Sequence, residues 1–233
     1  MDWMAKQRPN SAATARAPVK SGPEAAAASS ANVRVSNGLK EFLWLITDSG
    51  QGKILDLGAV FQSTVMFFIE KGFRLSTEDL LRSWKEFLLA EEESLRNAPV
   101  GDGNGNGRVS QGMLAGKFLD TALQYPEDHF HGVLAWDLFD YLDAELLPRV
   151  LERVYTVMRP GGAVLASFHS RAPERFNRYK VVDSQTIELV PTPTLAVHAR
   201  IFQNREILDI FGKFRSSKTF VGRDQVREAL LLK

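Results

Sequence analysis

Apolar residues along this chain recur at spacings that predict alternating helices and strands from Asn37 onward. Between 38 and 46 they return every three or four positions, as one face of a helix requires: Leu39, Phe42, Leu43 and Ile46. The apolar run 53–58 predicts a short strand that closes on a glycine. By the same criteria we expect helices at 63–71, 77–97 and 144–158, and strands at 73–76, 117–119, 130–136 and 163–168.

The pattern changes after residue 170, where short alternating segments predict antiparallel strands. The expected strands are at 179–182, 186–190, 195–202, 219–221 and 226–232, with one helix at 205–214. Strands that alternate with helices and then end in a hairpin predict an α/β fold, with a mostly parallel sheet and an antiparallel edge.

The first 36 residues are rich in alanine, serine and proline and poor in large apolar types. Such a segment buries too little surface to offset its conformational entropy, which predicts a disordered tail over 1–36. The remainder, 37–233, is then one domain. Within it, 171–203 is interpreted either as a lid over an acceptor site or as an extension of the sheet edge.

Composition excludes several classes of function. Lys and Arg total 29 against 28 Asp and Glu, so no basic excess indicates a nucleic-acid partner. The chain has no cysteine, which excludes disulfides, thiolate metal sites and cysteine nucleophiles. No apolar run approaches the roughly 18 residues of a membrane span, and the first residues lack the apolar core of a signal peptide. We therefore expect a cytoplasmic protein without membrane contact.

Four segments carry a resemblance to a known family. They are Ile54–Gly58 with Asp56, the acidic Asp79 23 positions later, 118–130 with Asp120 and Thr121, and 150–167 with the turn Arg159-Pro-Gly-Gly162. In order and spacing they resemble the class I S-adenosylmethionine-dependent methyltransferases. The resemblance implies a Rossmann-like three-layer sandwich, whose mostly parallel seven-stranded sheet has an antiparallel terminal hairpin strand.

The resemblance also implies a site for S-adenosylmethionine. Ligands of open α/β sheets bind beyond the carboxyl ends of the strands, where these residues are expected to converge. Asp79 would accept hydrogen bonds from the ribose hydroxyls, and Asp120 would lie near the adenine. The expected cofactor-binding residues are Asp56, Gly58, Ala59, Gln62, Asp79, Asp120, Thr121 and Trp136.

The glycine-rich loop departs from the family pattern Asp-x-Gly-x-Gly-x-Gly. Val60 and Gln62 stand at the positions of the second and third glycines. Those glycines let the backbone approach the cofactor or take angles that a side chain forbids, and a β-branched valine tolerates positive φ badly. We therefore expect that the loop has another conformation, binds the cofactor weakly, or no longer binds it.

Two residues are candidates for the chemistry. Methyl transfer runs in line from sulfonium to nucleophile, so positioning supplies much of the acceleration. Asp137 follows the predicted strand 130–136 and is a candidate for orienting or deprotonating the acceptor. His169 would face the same crevice. The alternatives are a helix-capping role for Asp137 and a structural role for His169.

These observations favour a methyltransferase that acts on a small-molecule or protein acceptor. The lost glycines favour an alternative, a catalytically inactive methyltransferase-like domain that serves as a binding or scaffold partner. A nicotinamide-dependent oxidoreductase would need G-x-G-x-x-G after the first strand, and the chain lacks it. The segment 102–113 resembles a calcium loop, but Met113 stands where the bidentate glutamate belongs. No metal site is expected.

Overall fold

The computed structural model describes residues 32–47, 52–97, 110–192, 199–222 and 224–233. The chain divides into two units, Met1–Ala31 and Asn32–Lys233, and every described residue belongs to the second. Most of the predicted tail and the calcium-like segment 102–109 therefore lie outside the described residues.

The described elements alternate between helices and strands through most of the chain. The helices are α1 (Asn37–Thr47), α2 (Gln62–Glu70), α3 (Leu80–Asn97), α4 (Gln111–Leu119), α5 (Leu146–Val157) and α6 (Asn204–Ile210), with a 3₁₀ turn at Leu138–Tyr141. The strands are β1 (Val33–Val35), β2 (Lys53–Asp56), β3 (Arg74–Thr77), β4 (Phe130–Trp136), β5 (Met158–His169), β6 (Asn177–Val181), β7 (Thr186–Pro191), β8 (Ser216–Val221) and β9 (Val226–Leu232).

A sheet with the strand order β3-β2-β4-β5-β9-β8 forms the centre of the domain. Its first four strands are parallel, and β9 and β8 are antiparallel to their neighbours. In the parallel part, Asp56 of β2 pairs with Thr77 of β3 and with Leu134 of β4. This arrangement confirms the predicted α/β fold with a mostly parallel sheet and an antiparallel hairpin at its edge.

The described residues place six strands in this sheet, and the prediction of a seventh at 117–119 is wrong. That segment is the last turn of α4. The side chain of Ser110 caps the helix by accepting a hydrogen bond from the Met113 amide. Ala115, Phe118 and Leu119 are buried at helical spacing, so the apolar pair Phe118-Leu119 belongs to a helix face and not to a strand.

Side chains alternate between the two faces of the sheet, and each face is covered. Val133 and Val164 pack into one apolar cluster with residues of α3, α4 and α5, whereas Leu134 and Leu165 pack into a second cluster with residues of α1 and α2. A period of two along β4 and β5 therefore fills both layers. Across the described residues, no helix is both long and apolar enough to cross a membrane.

A second, three-stranded sheet has the order β1-β7-β6. It packs on the α1 and α2 side, where Tyr179, Val181 and Ile187 are buried, and the amide of Val181 donates to Thr64 Oγ1 at 3.0 Å. The predicted strands 179–182 and 186–190 are thus confirmed. Of the predicted strand 195–202, residues 199–202 are not extended in a strand, and 195–198 lie outside the described residues.

The first strand lies before the predicted start of the domain at Asn37. Arg34 of β1 is buried, and its guanidinium lies 3.1 Å from a carboxylate oxygen of Glu228 and 3.1 Å from one of Asp224. The predicted boundary after residue 36 is therefore too late by at least the length of β1. Composition missed the strand because its stability depends on β7 and on this ion pair, which are distant in sequence.

Arg34→Ala should lower the free energy of unfolding by about 3–5 kcal/mol, because it leaves the buried Glu228 carboxylate without its cation. Arg82→Ala is the matched control, since it breaks an exposed arginine–glutamate pair on α3 and should change stability little. Urea denaturation of the two variants checks this. Equal losses in both would contradict the buried role of Arg34.

Candidate functional site

The carboxyl ends of the parallel strands meet at one edge of the sheet. There, Asp56 ends β2, Trp136 ends β4 and His169 ends β5. A crevice at this edge, called here the strand-end crevice, lies between the ends of β2 and β4, α3 and the start of β6. Its lining residues are Leu57, Gly58, Ala59, Leu81, Ala135, Trp136, Asp137, Leu138, Phe176, Asn177, Arg178 and Tyr179.

Asp56 shapes the wall of this crevice from a buried position. Its Oδ1 accepts a hydrogen bond from the Gly58 amide at 2.9 Å and another from Trp136 Nε1 at 2.7 Å. Burial raises the pKa of the carboxyl to about 6, although the two hydrogen bonds act in the opposite direction. The carboxylate thereby ties the loop after β2 to the end of β4.

The indole of Trp136 fills the space next to Gly58. A Cβ built on Gly58 would lie 2.7 Å from Trp136 Cδ1, so only glycine fits beside the ring. The ring stacks on Tyr179 at 5.2 Å between centroids, and the backbone of Trp136 has a φ of 47°. That left-handed backbone is unfavourable for a bulky residue, and such strain concentrates at functional sites.

The room that remains in the strand-end crevice is about 20 Å³, enough for about one water molecule. Pockets for small-molecule cofactors usually enclose about 300–1,000 Å³. With the side chains in these positions, the crevice is too small for S-adenosylmethionine.

Asp79 lies at the mouth of the crevice, where it follows β3. Its Oδ1 accepts from Arg178 Nη1 at 2.7 Å, and both side chains are largely buried. The same oxygen accepts from the Arg82 amide at 3.3 Å, at the start of α3. The residue predicted to hold the ribose is therefore already paired with a cation from β6.

A more open space, the outer groove, lies beyond this ion pair. It measures about 550 Å³ and is lined by Ala59, Val60, Phe61, Asp79, Arg82, Lys85, Glu86, Leu89, Arg178, Val190 and Thr192. The ion pair between Asp79 and Arg178 thus lies between the filled strand-end crevice and the accessible outer groove.

The substituted loop has a conformation that suits its side chains. Val60 is 61% exposed, and it is not one of the described residues whose φ is positive. Gln62 is exposed at the first position of α2, and the preceding residue, Phe61, caps that helix with no side-chain hydrogen bond. The expectation of another loop conformation agrees with this geometry. Trp136, and not Val60, occupies the space beside Gly58.

Asp120 and Thr121 lie elsewhere. Both are exposed at the end of α4, and Asp120 lines a groove between α4 and α5 together with Arg149. They were expected at the crevice because 117–119 was predicted as a strand, whose carboxyl end would have reached the sheet edge. The neighbouring Glu78 accepts from the Leu123 amide at 2.9 Å, which connects this turn to the end of β3.

Asp137 and His169, the two predicted catalytic residues, lie close together. His169 Nε2 is 3.8 Å from Asp137 Oδ2. Asp140, which sequence reasoning missed, accepts from the His169 amide at 2.8 Å and lies 2.9 Å from His169 Nδ1. The spacing Asp-x-x-Asp in the turn after β4 was the one available signal, because one helical turn puts both carboxylates on the same side.

Burial changes the protonation of this cluster. Removal from water raises the pKa of Asp137 to about 7; the nearby His169 lowers it and Asp140 raises it. Burial also lowers the pKa of His169, but the hydrogen bond to Asp140 and the charge of Asp137 outweigh that effect and leave it raised. The Asp137 carboxyl therefore titrates close to neutral pH beside an imidazole whose pKa is also raised.

Asp137 interacts with the hydroxyl groups of Tyr141 and Tyr179, whereas the buried Asp140 Oδ1 has no hydrogen-bond partner among the described residues. Buried groups of this kind are costly and are rare outside functional sites. Within the described part of the chain, no group of three or more His, Asp or Glu residues is arranged to hold a metal ion. The cluster suits proton transfer.

Neither a family model nor a curated protein matches this chain. Solved structures with a similar fold include an S-adenosylmethionine-dependent methyltransferase from Mesorhizobium loti, at 14% identity over 83% of this chain and 96% of that one, with a TM-score of 0.47. Another is 1,6-didemethyltoxoflavin-N1-methyltransferase from Burkholderia thailandensis, solved with S-adenosylhomocysteine, at 16% identity over 94% and 93%, with a TM-score of 0.42. The glycopeptide N-methyltransferase MtfA, complexed with S-adenosylmethionine, has 15% identity over 84% and 94%, with a TM-score of 0.42. The likeness is one of fold.

The stability difference between Asp137→Asn and the wild type should depend on pH. The folded state holds the Asp137 proton more tightly than the unfolded chain, so wild-type stability is lost as pH rises from about 4 toward about 7. Asparagine carries no such proton, and the variant should gain relative to wild type over that window.

Urea denaturation between pH 4 and pH 8 measures this difference. Asp209→Asn, at an exposed position on α6, is the control and should show no comparable trend. A constant difference between Asp137→Asn and wild type across the window would mean that Asp137 does not titrate within it.

Proposed function

We propose that the protein is an S-adenosylmethionine-dependent methyltransferase whose acceptor is a small molecule or a protein side chain. The observation that carries the proposal is the buried Asp137–His169–Asp140 cluster beside a crevice whose wall is Asp56 and Gly58. A purely structural domain gains nothing from removing these two carboxyl groups from water, because burial of a charged group costs stability. Strained and desolvated groups gathered at the carboxyl ends of the strands are typical of a site.

The roles follow from position. Asp56 would fix the loop after β2, and Asp79 would accept from the ribose hydroxyls once Arg178 has left it. Asp137, which lines the crevice, would orient or deprotonate an acceptor hydroxyl or amine. His169, held at Nδ1 by Asp140 and 3.8 Å from Asp137 Oδ2 at Nε2, would take up that proton. The cofactor, when bound, supplies the methyl group. The transfer itself needs alignment more than a strong base.

The filled crevice favours a second candidate, a catalytically inactive methyltransferase-like scaffold. Trp136 occupies the space beside Gly58, and about 20 Å³ is left. A scaffold would keep this packing permanently, because a filled crevice stabilises the fold. The two candidates differ in whether the crevice opens.

S-adenosylhomocysteine should bind with measurable heat and raise the melting temperature by mass action. The paired change Val60→Gly with Gln62→Gly restores the glycines of the family loop. It should tighten binding if the present loop is a weakened version of that loop, and loosen it if Gln62 has become a ligand. Titration calorimetry and thermal unfolding at millimolar ligand measure both effects.

Met66→Ala on α2 is the control, since its exposed side chain lies outside both the strand-end crevice and the outer groove. If neither the wild type nor the double-glycine variant bound the ligand while both remained folded, the methyltransferase proposal would be wrong. The scaffold would then be the remaining function.

A further inference from the structure

The crevice is filled by a side chain of its own wall. We propose that two side chains at the start of β6 form a gate. Tyr179 stacks on the Trp136 indole that fills the strand-end crevice, and Arg178 pairs with Asp79, so a nucleoside ligand enters only when these side chains move aside. The inference rests on the proposed function and concerns how its site is regulated.

The inner part of the gate is the aromatic stack. The rings of Trp136 and Tyr179 are stacked and nearly parallel, with an interplanar angle of 10° and centroids 5.2 Å apart. The indole also donates to Asp56 at 2.7 Å. The protein thus supplies both the flat ring and the N–H donor that fill the crevice, and a ligand must displace both.

The outer part of the gate is the ion pair between Arg178 and Asp79. Arg178 Nη1 lies 2.7 Å from Asp79 Oδ1, and the guanidinium also lies over the ring of Phe176 at 5.1 Å. A ribose diol that donated to Asp79 would compete with Arg178 for this oxygen. A diol that uses both oxygens of Asp79 would have to displace Arg178 from Oδ1, and its affinity is then reduced to the extent that molecules are closed.

The far end of β6 is anchored. The Val181 amide donates to Thr64 Oγ1 of α2 at 3.0 Å, and Val181 pairs with Ile187 of β7. Arg178 and Tyr179 also pair with Val190 and Leu189 of β7, so β6 is held along its length. The gate therefore opens by movement of the Arg178, Tyr179 and Trp136 side chains, with the small sheet in place.

Titration calorimetry with S-adenosylhomocysteine on the full chain tests the gate. Arg178→Ala removes the outer contact, and Trp136→Gly empties the inner one while suiting the positive φ at that position. Each should tighten binding by about tenfold, as expected if roughly a tenth of the molecules are open.

Two matched controls separate the gate from general effects. Lys180 lies on β6, the same strand as Arg178, and Lys180→Ala breaks its ion pair with Glu188 of β7. Trp44→Ala removes a tryptophan that is 70% exposed on α1. Both should bind as the wild type does. In wild type, the Trp136 indole N–H resonance, identified by its loss in Trp136→Gly, should exchange faster with solvent when ligand is added.

The outcomes are distinct. Tighter binding in both gate variants, with unchanged controls, supports the proposal. Equal affinity in wild type and both variants overturns the gate and leaves the proposed function standing. Absence of binding in all folded proteins overturns the gate together with the proposed function. If Trp136→Gly fails to fold, Arg178→Ala decides alone.

Discussion

The carboxylate of Asp56 connects the parts of this structure on which its function depends. Buried at the end of β2, it accepts hydrogen bonds from the Gly58 amide and from the Trp136 indole. The first bond sets the path of the loop and the second fixes the ring at the end of β4. Because a buried carboxylate is costly without partners, this pairing holds the loop and the ring together, and the room in the crevice follows from it.

Three energetically unfavourable features lie at the same edge of the sheet. They are the left-handed backbone of Trp136, the burial that raises the pKa of Asp137, and the unpaired oxygen of Asp140. Both faces of β4 and β5 are covered by apolar side chains. Other strained or buried polar residues are scattered, such as Leu123 with a positive φ and the buried Arg34, whereas strain and desolvated carboxyl groups coincide at the strand ends, as is typical of a site. The aromatic stack and the ion pair of β6 then decide whether that site is accessible.

Sequence reasoning located the crevice better than it assigned the residues around it. Asp56, Gly58 and Trp136 lie at the crevice because each ends or follows a strand whose apolar run is easy to recognise; that they bind a cofactor stays a prediction. Asp120 lies away from the crevice because the segment before it is a helix, and a short apolar pair such as Phe118-Leu119 fits a helix face as well as a strand. Asp140 had only the Asp-x-x-Asp spacing as a signal, and Tyr179 had none at this site, because their partners lie 29 and 43 positions away.

The sequence by itself determined the alternation of helices and strands, the parallel sheet with its terminal hairpin, and the substituted loop, because periodicity and turn residues are local properties. Only the tertiary structure decided that Arg34 belongs to the fold, that Arg178 pairs with Asp79 and that Trp136 fills the crevice. Those contacts join residues tens to nearly two hundred positions apart. Their existence depends on the packing of elements against one another, which local spacing does not specify.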